Sequence, residues 1–202
     1  MAGEAAPWAA AGFVPEGNEL ALGGVRLHFE GREAGRGILG WSLRDVVTTE
    51  LDGLPTEHSQ APPAQGRPQP NGVVAIDHVV AFTTDLERTT RALREAGFDF
   101  RRLRERPTPS GGGHQAFFRM GELILEVVEA PPASRTAERP GGPARLWGIS
   151  LLVDDLDATA AHLGELLGEP RSAVQPGRRI ATLRREAGLG TAVAFMTAVA
   201  SL

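Results

Sequence analysis

Two residues set a reactive side chain inside an apolar strand pattern: His78 within Val73–Thr83, and Glu126 within LILEVVE, residues 123–129. A carboxylate is costly to bury without a cation, a donor or a proton, so Glu126 either has such a partner or sits at a rim that reaches water. His78 is either a core histidine bonded to a neighbour or a working group, and the two can also pair with each other. Strand alternation puts Ile124 and Val128 on the Glu126 face, which makes that wall apolar. Without a metal, Glu126 is the candidate general base for a carbon-bound proton. Gln115, Phe117 and Arg119 alternate along one face of the preceding strand, where Arg119 can reach a carboxylate at the rim. In Gln175-Pro176-Gly177-Arg178-Arg179 a turn is followed by paired arginines on opposite faces, one to clamp a substrate carboxylate and one solvated. His114 follows three glycines and reads as an exposed loop histidine. Arg101, Arg102, Arg104 and Arg106, interleaved with Asp99 and Glu105, read as a solvated strand edge.

The elements that must position these residues come in two copies. Ile76–Glu87 (IDHVVAFTTDLE) recurs 70 residues on as Leu146–Asp157 (LWGISLLVDDLD), with Thr89 over Thr159 and Leu93 over Leu163. A repeat of this length is one supersecondary unit used twice. In the first copy the pattern predicts a strand over Val73–Thr83 and a helix capped at Thr84 or Asp85, with a stripe of Leu86, Thr90 and Leu93, closed by Gly97. Three strands follow: Phe98–Arg104 with Phe98, Phe100 and Arg102 on one side, then His114–Met120 and Glu122–Glu129, after a turn at Pro107–Gly113. The second copy predicts a strand over Arg145–Val153 and a helix over Asp155–Leu167. Strands follow at Ser172–Val174, Arg178–Arg184 and Thr191–Val199.

Ahead of the repeats, Gly24–Glu30, Ile38–Arg44 and Val46–Leu51 read as a short antiparallel meander. Pro55–Gly72 and Pro131–Pro143 read as linkers. The alanine-rich start, with Glu4 and no basic residues, reads as a loose tail rather than a signal peptide. The expected organisation is an N-terminal β extension and Pro-rich linker (1–72), a first βαβββ unit (73–131), a linker (132–143) and a second, degenerate unit (144–202). The fold class is α+β.

Composition narrows the chemistry. A net charge of −4 argues against nucleic acid and anionic membrane as partners. The absence of Cys excludes disulfides and thiolate chemistry, and the absence of Lys, all cations being Arg, excludes a lysine Schiff base. No apolar run reaches about 18 residues, so a cytoplasmic protein is expected.

The motifs Ile76-Asp77-His78-Val79-Val80 with Asp85-Leu86, Phe117–Glu126 (FFRMGELILE) and Leu151–Leu156 (LLVDDL) resemble the vicinal-oxygen-chelate superfamily. That superfamily includes glyoxalases, extradiol dioxygenases, methylmalonyl-coenzyme A epimerase and bleomycin-resistance proteins. The resemblance covers residues 73–198 and implies tandem βαβββ units curled into a barrel-like mixed sheet around a cavity. It implies a small organic acid or dicarbonyl-type ligand. It also implies a divalent metal (zinc, iron, manganese or nickel) on His78 and Glu126, serving lyase, isomerase or dioxygenase chemistry. Gln115, Phe117, Arg119, Trp147, Gln175, Arg178 and Arg179 are the implied substrate contacts, and Glu126 the catalytic group. The second unit departs from the pattern. Gly148 stands at the histidine position, leaving room there, and Ala194-Phe195-Met196 at the carboxylate position. Further ligands would come from Gln115, His114, Gln175 or a partner chain in a homodimer. The alternative is metal-free binding or drug sequestration of the bleomycin-resistance type.

Overall fold

Alternating apolar residues build most of this molecule as strands, and two acidic caps start its longer helices. The structure is a computed structural model that describes residues 1–105, 113–130 and 141–198. Most of the turn at Pro107–Gly113, most of the second linker, Arg106 and the end of the last expected strand at Val199 lie outside the described residues. In chain order the elements are α1 (Ala5–Ala10), β1 (Glu19–Leu22), β2 (Val25–His28), β3 (Trp41–Leu43), β4 (Thr56–His58) and β5 (Val73–Thr83). Then come α2 (Leu86–Glu95), β6 (Asp99–Arg104), β7 (Gln115–Met120), β8 (Leu123–Glu129), β9 (Arg145–Val153), α3 (Leu156–Leu163), β10 (Arg171–Ser172), β11 (Arg179–Thr182) and β12 (Ala192–Thr197). Eight strands form a mixed sheet in the order β10-β11-β12-β9-β5-β8-β7-β6, open at its two edges. The fold is therefore mixed α and β. No helix among the described residues is long and apolar enough to cross a membrane.

The chain divides into two compact units, and the division runs through the N-terminal region. The unit containing the first repeat also holds Gly40–Ala61. Here β5 pairs in parallel with β8, which runs antiparallel to β7, which runs antiparallel to β6. One face of this sheet presents Ala81, Ala116, Phe118, Leu125 and Val127, all fully buried, on the side that α2 covers. Asp85 caps α2, its carboxylate accepting from the Arg88 backbone N–H at 2.9 Å. The buried stripe of the helix is Leu86, Thr89 and Leu93, so the threonine in it is Thr89 and not Thr90. The Thr89 hydroxyl reaches the Asp85 carbonyl, the Thr83 hydroxyl and the Asp52 carboxylate. Asp52 also accepts two hydrogen bonds from Arg88, at 2.6 and 3.2 Å, and this bonding raises the arginine's pKa above its ordinary value. The segment holding Asp52 is thus fastened to the start of α2, with Leu51 and Leu54 buried beside it.

The other unit comprises Met1–Leu39, Pro62–Asp77 and Gly148–Leu202. Here β9 pairs in parallel with β12, followed by antiparallel β11 and β10. Asp155 caps α3 through the backbone N–H groups of Asp157 and Ala158. Thr159 repeats the Thr89 arrangement, its hydroxyl reaching the Asp155 carbonyl and the Asn71 carbonyl.

Three expectations for residues 1–72 are corrected. The start is no loose tail, because α1 buries Trp8 against Phe13 and Phe29, with ring centroids 5.1 and 5.6 Å away. The meander is absent: β2 pairs with β1 across a Gly23-Gly24 turn, and β3 pairs in parallel with β4. Pro55–Gly72 is not all linker either. It contains β4 and two buried amides, with Gln69 accepting from the Val14 N–H and Asn71 donating to the Ala11 carbonyl. Proline and glutamine content signals a lack of periodic burial, not a lack of hydrogen-bonded structure.

Asp52→Ala leaves Thr89 and the half-buried Arg88 without their shared acceptor. It is expected to cost about 2–3 kcal/mol in urea unfolding, with Thr89→Val intermediate.

Candidate functional site

Strand register determines which side chains meet. On the face of the first-repeat sheet turned away from α2, Val80 stands opposite Glu126, and His78 opposite Ile124. Glu126 stands opposite Phe117, and Val128 opposite Gln115. The structure therefore brings together His78, Gln115, Phe117 and Glu126 on three neighbouring strands, among Val80, Ile124 and Val128. His78 and Glu126 have side chains 12% and 17% exposed, with Nε2 and Oε2 3.5 Å apart. That separation is long for a strong hydrogen bond. The Gln115 amide nitrogen donates to Glu126 Oε1 in a short contact. Gln115 itself is buried, and its Oε1 has no hydrogen-bond partner among the described residues. An unpaired buried carbonyl oxygen costs free energy, so this site holds an acceptor in want of a donor or a cation.

The remaining expected residues fall elsewhere. Arg119 is exposed at the end of β7, where its Nε donates to the Gly121 carbonyl. Trp147 is 39% exposed and meets Phe82 edge-on, 5.0 Å between centroids, with Arg145 on the same phenyl ring. His114 is exposed and pairs with Glu129 at 2.9 Å.

In the second-repeat unit Arg178 is 8% exposed and uses most of its N–H donors. It donates to Asp77 at 2.6 and 3.3 Å, to the Thr197 carbonyl at 2.6 Å and to Gln175 Oε1 at 3.3 Å. Arg179, on the opposite side, makes a two-point bond to Asp157. The hydrogen bonding of that arginine holds the Asp157 carboxyl below its ordinary pKa.

Two structural facts close the second repeat's ligand positions. A Cβ on Gly148 would stand 2.7 Å from the Ala192 carbonyl oxygen and 2.9 Å from the Ala192 Cβ, so the place of a side chain is taken by backbone. The glycine leaves no room there, contrary to expectation. The carboxylate position is settled by register: Glu126 faces Val80, whose repeat equivalent Ser150 faces Ala194. Met196 lies two residues further along, because β12 is shifted by two against the first-repeat spacing. Among the described residues no three His, Cys, Asp or Glu side chains converge as a metal group.

Sequence reasoning missed Arg102 and Arg104 as members of this face. An irregularity between Phe100 and Arg102 in the β6–β7 pairing turns Arg102 over to stand opposite Phe117, and Arg104 opposite Gln115. Phe100 stays on the helix side, 5.5 Å from Phe118. Strict alternation would have kept Phe100 and Arg102 together, and nothing in the local sequence marks the bulge.

A family model described as Glyoxalase/Bleomycin resistance protein/Dioxygenase superfamily matches residues 75–181. A search of curated proteins finds no match. Among solved structures the chain is similar to methylmalonyl-CoA epimerase from Mycobacterium tuberculosis, with a TM-score of 0.51 and 16% identity over 62% of this chain and 89% of that one. It is also similar to a hypothetical protein from Bacillus halodurans C-125, with a TM-score of 0.51 and 18% identity over 63% and 96%. A third likeness is to a methylmalonyl-CoA epimerase of Streptomyces coelicolor, with a TM-score of 0.50 and 23% identity over 63% and 96%. At these identities the likeness concerns the fold.

Gly148→Ala is expected to destabilise by about 1–3 kcal/mol through its clash with the Ala192 backbone. The measure is a lowered unfolding midpoint; an unchanged midpoint would contradict the closed position.

Proposed function

The chain belongs to the Glyoxalase/Bleomycin resistance protein/Dioxygenase superfamily, and from that premise we propose that it binds a small organic acid or dicarbonyl-type ligand at the His78 face. In this reading the sheet curls around the ligand, and the first repeat alone supplies the reactive groups. The observation that supports it is the grouping of His78 Nε2, Glu126 and the unpartnered Gln115 Oε1 on one face.

The donor set fits one divalent ion. His78 Nε2 and Glu126 Oε2 are 3.5 Å apart, and Gln115 Oε1 is an oxygen donor without another use among the described residues. Such an ion, when bound, supplies Lewis-acid stabilisation of an enolate-like charge on two vicinal oxygens. The chain's own residues do the rest. His78, Gln115 and Glu126 would hold the ion, while the Gln115 amide nitrogen fixes the Glu126 carboxylate. Val80, Phe117, Ile124 and Val128 exclude water from the same face. Arg119 waits at the strand end for a ligand carboxylate. Lyase, isomerase or dioxygenase chemistry is the class such a centre would serve. Arg178 and Arg179, already bonded within their own unit, serve structure here.

A second reading rests on Gly148 and Ala194. With no donor from the second repeat, the same face binds its ligand without a metal, as in sequestration. Glu126 is then the group that receives a ligand's proton or accepts its hydrogen bond.

Elemental analysis of the purified protein, repeated after incubation with zinc, manganese, iron or nickel, separates the two. About one ion per chain is expected, lost in His78→Ala and Glu126→Ala and weakened about tenfold or more in Gln115→Ala. One ion per two chains would indicate that two copies share a centre. No ion under any loading would favour the metal-free reading.

A further inference from the structure

The face that carries Glu126 also carries two arginines without an ion pair among the described residues. Arg101 pairs with Asp99 at 3.1 Å, but Arg102 and Arg104 make no ion pair among the described residues. Arg102 is exposed and Arg104 half-buried, so both guanidinium groups are within reach of a ligand arriving from solvent. Both arginines face the site only because of the bulge after Phe100. Arg102 lies over the Phe117 ring, its guanidinium carbon 4.6 Å from the centroid. Phe117 in turn stands directly between Arg102 and Glu126 in one row across β6, β7 and β8. Adjacent strands are about 4.8 Å apart, so roughly 10 Å of sheet separates the backbones of Arg102 and Glu126, with a phenyl ring as the floor between them.

We propose that Arg102 and Arg104 recognise a second anionic group of the ligand, which makes the preferred class 2-oxo or 2-hydroxy dicarboxylic acids over their monocarboxylic counterparts. This rests on the reading of His78, Gln115 and Glu126 as the centre that takes the vicinal oxygens. The oxo-acid end meets that centre, the short hydrocarbon stem lies on Phe117, and the distal carboxylate reaches the two guanidinium groups. Two planar guanidinium forks suit a carboxylate better than a single point charge would. The exposed Arg119, on the same face by register, extends the positive field along the rim.

A matched pair of probes tests this: 2-oxoglutarate and 2-oxopentanoate, which share a five-carbon chain and differ in the distal carboxylate. Each is titrated calorimetrically into the full chain in manganese(II) buffer at low salt. The wild-type protein is expected to bind 2-oxoglutarate about tenfold tighter, with the preference shrinking as salt is raised. The Arg102→Gln/Arg104→Gln double variant is expected to lose the preference while keeping its affinity for 2-oxopentanoate. Arg101→Gln, on the same edge strand but paired with Asp99, is expected to keep it. Equal binding of the two acids by wild type overturns the proposal and leaves the His78 centre standing. So does a preference that survives in the double variant, or one lost equally in Arg101→Gln. A double variant that loses both acids alike places the arginines in the fold and also overturns it. Failure of wild type to bind either acid overturns the underlying reading together with this one.

Discussion

A buried threonine hydroxyl one turn into a helix is the joint on which both halves of this molecule depend. Each repeat begins its helix with an aspartate cap and places a threonine four residues after the cap, on the side facing the sheet. Its single hydroxyl hydrogen is shared between the cap residue's own carbonyl and a second acceptor. In the first repeat the Asp52 carboxylate meets it; in the second it donates to the Asn71 carbonyl. Both partners come from the region ahead of the repeats, and each fixes a different piece of it. A segment without a regular apolar period is thereby held by polar bonds that are buried and therefore specific in geometry. The N-terminal third is shared out between the two units for this reason, rather than standing as a separate sheet.

The repeat explains the fold, and the differences between its two copies explain where the His–Glu pair sits. In the first repeat the face away from the helix kept His78 and Glu126, and the strands around them supply Gln115 and Phe117. In the second repeat the equivalent positions are Gly148 and Ala194, and the backbone of Ala192 has moved into the space a side chain at 148 would need. The loss is thus more than a pair of substitutions. The chain between the paired strands is two residues shorter in the second copy, the register is kept, and a side chain at 148 would require the Ala192 backbone to move. Polar chemistry is confined to one copy, and the other has become packing, with Phe195 fully buried and 6.4 Å from Phe13.

Much of this could be read from residue order alone. The 70-residue echo, the Asp85 and Asp155 caps and the strand over Val73–Thr83 follow from periodicity and capping, which act locally. The closeness of His78 to Glu126 was implied by the family resemblance, whereas the apolar neighbours of Glu126 said only that it needs a partner or a path to water. What escaped the sequence is whatever depends on register or on contact at a distance. The bulge that turns Arg102 and the burial of Trp8 by Phe13 and Phe29 have no local signature. Gln69 and Asn71 sit in a proline-rich stretch that composition assigns to a linker, yet their amides are bonded to backbone more than 50 residues away.

The charge pattern along β5 shows how the two outcomes coexist in a single strand. Asp77 and His78 are consecutive, so alternation sends them to opposite faces. Asp77 takes two bonds from Arg178, an arginine that also satisfies Gln175 and the Thr197 carbonyl, so its charge is spent on holding structure. His78 meets a carboxylate at a distance too long for a strong bond, beside an amide oxygen with no donor among the described residues. A buried ion pair bonded as extensively as Asp77 and Arg178 has little capacity left for a ligand, because nearly every added contact would have to displace an existing one. The looser cluster keeps that capacity. A buried polar atom that still lacks a partner is where a ligand can add a bond, and among the described residues Gln115 Oε1, on the face of His78 and Glu126, is such an atom.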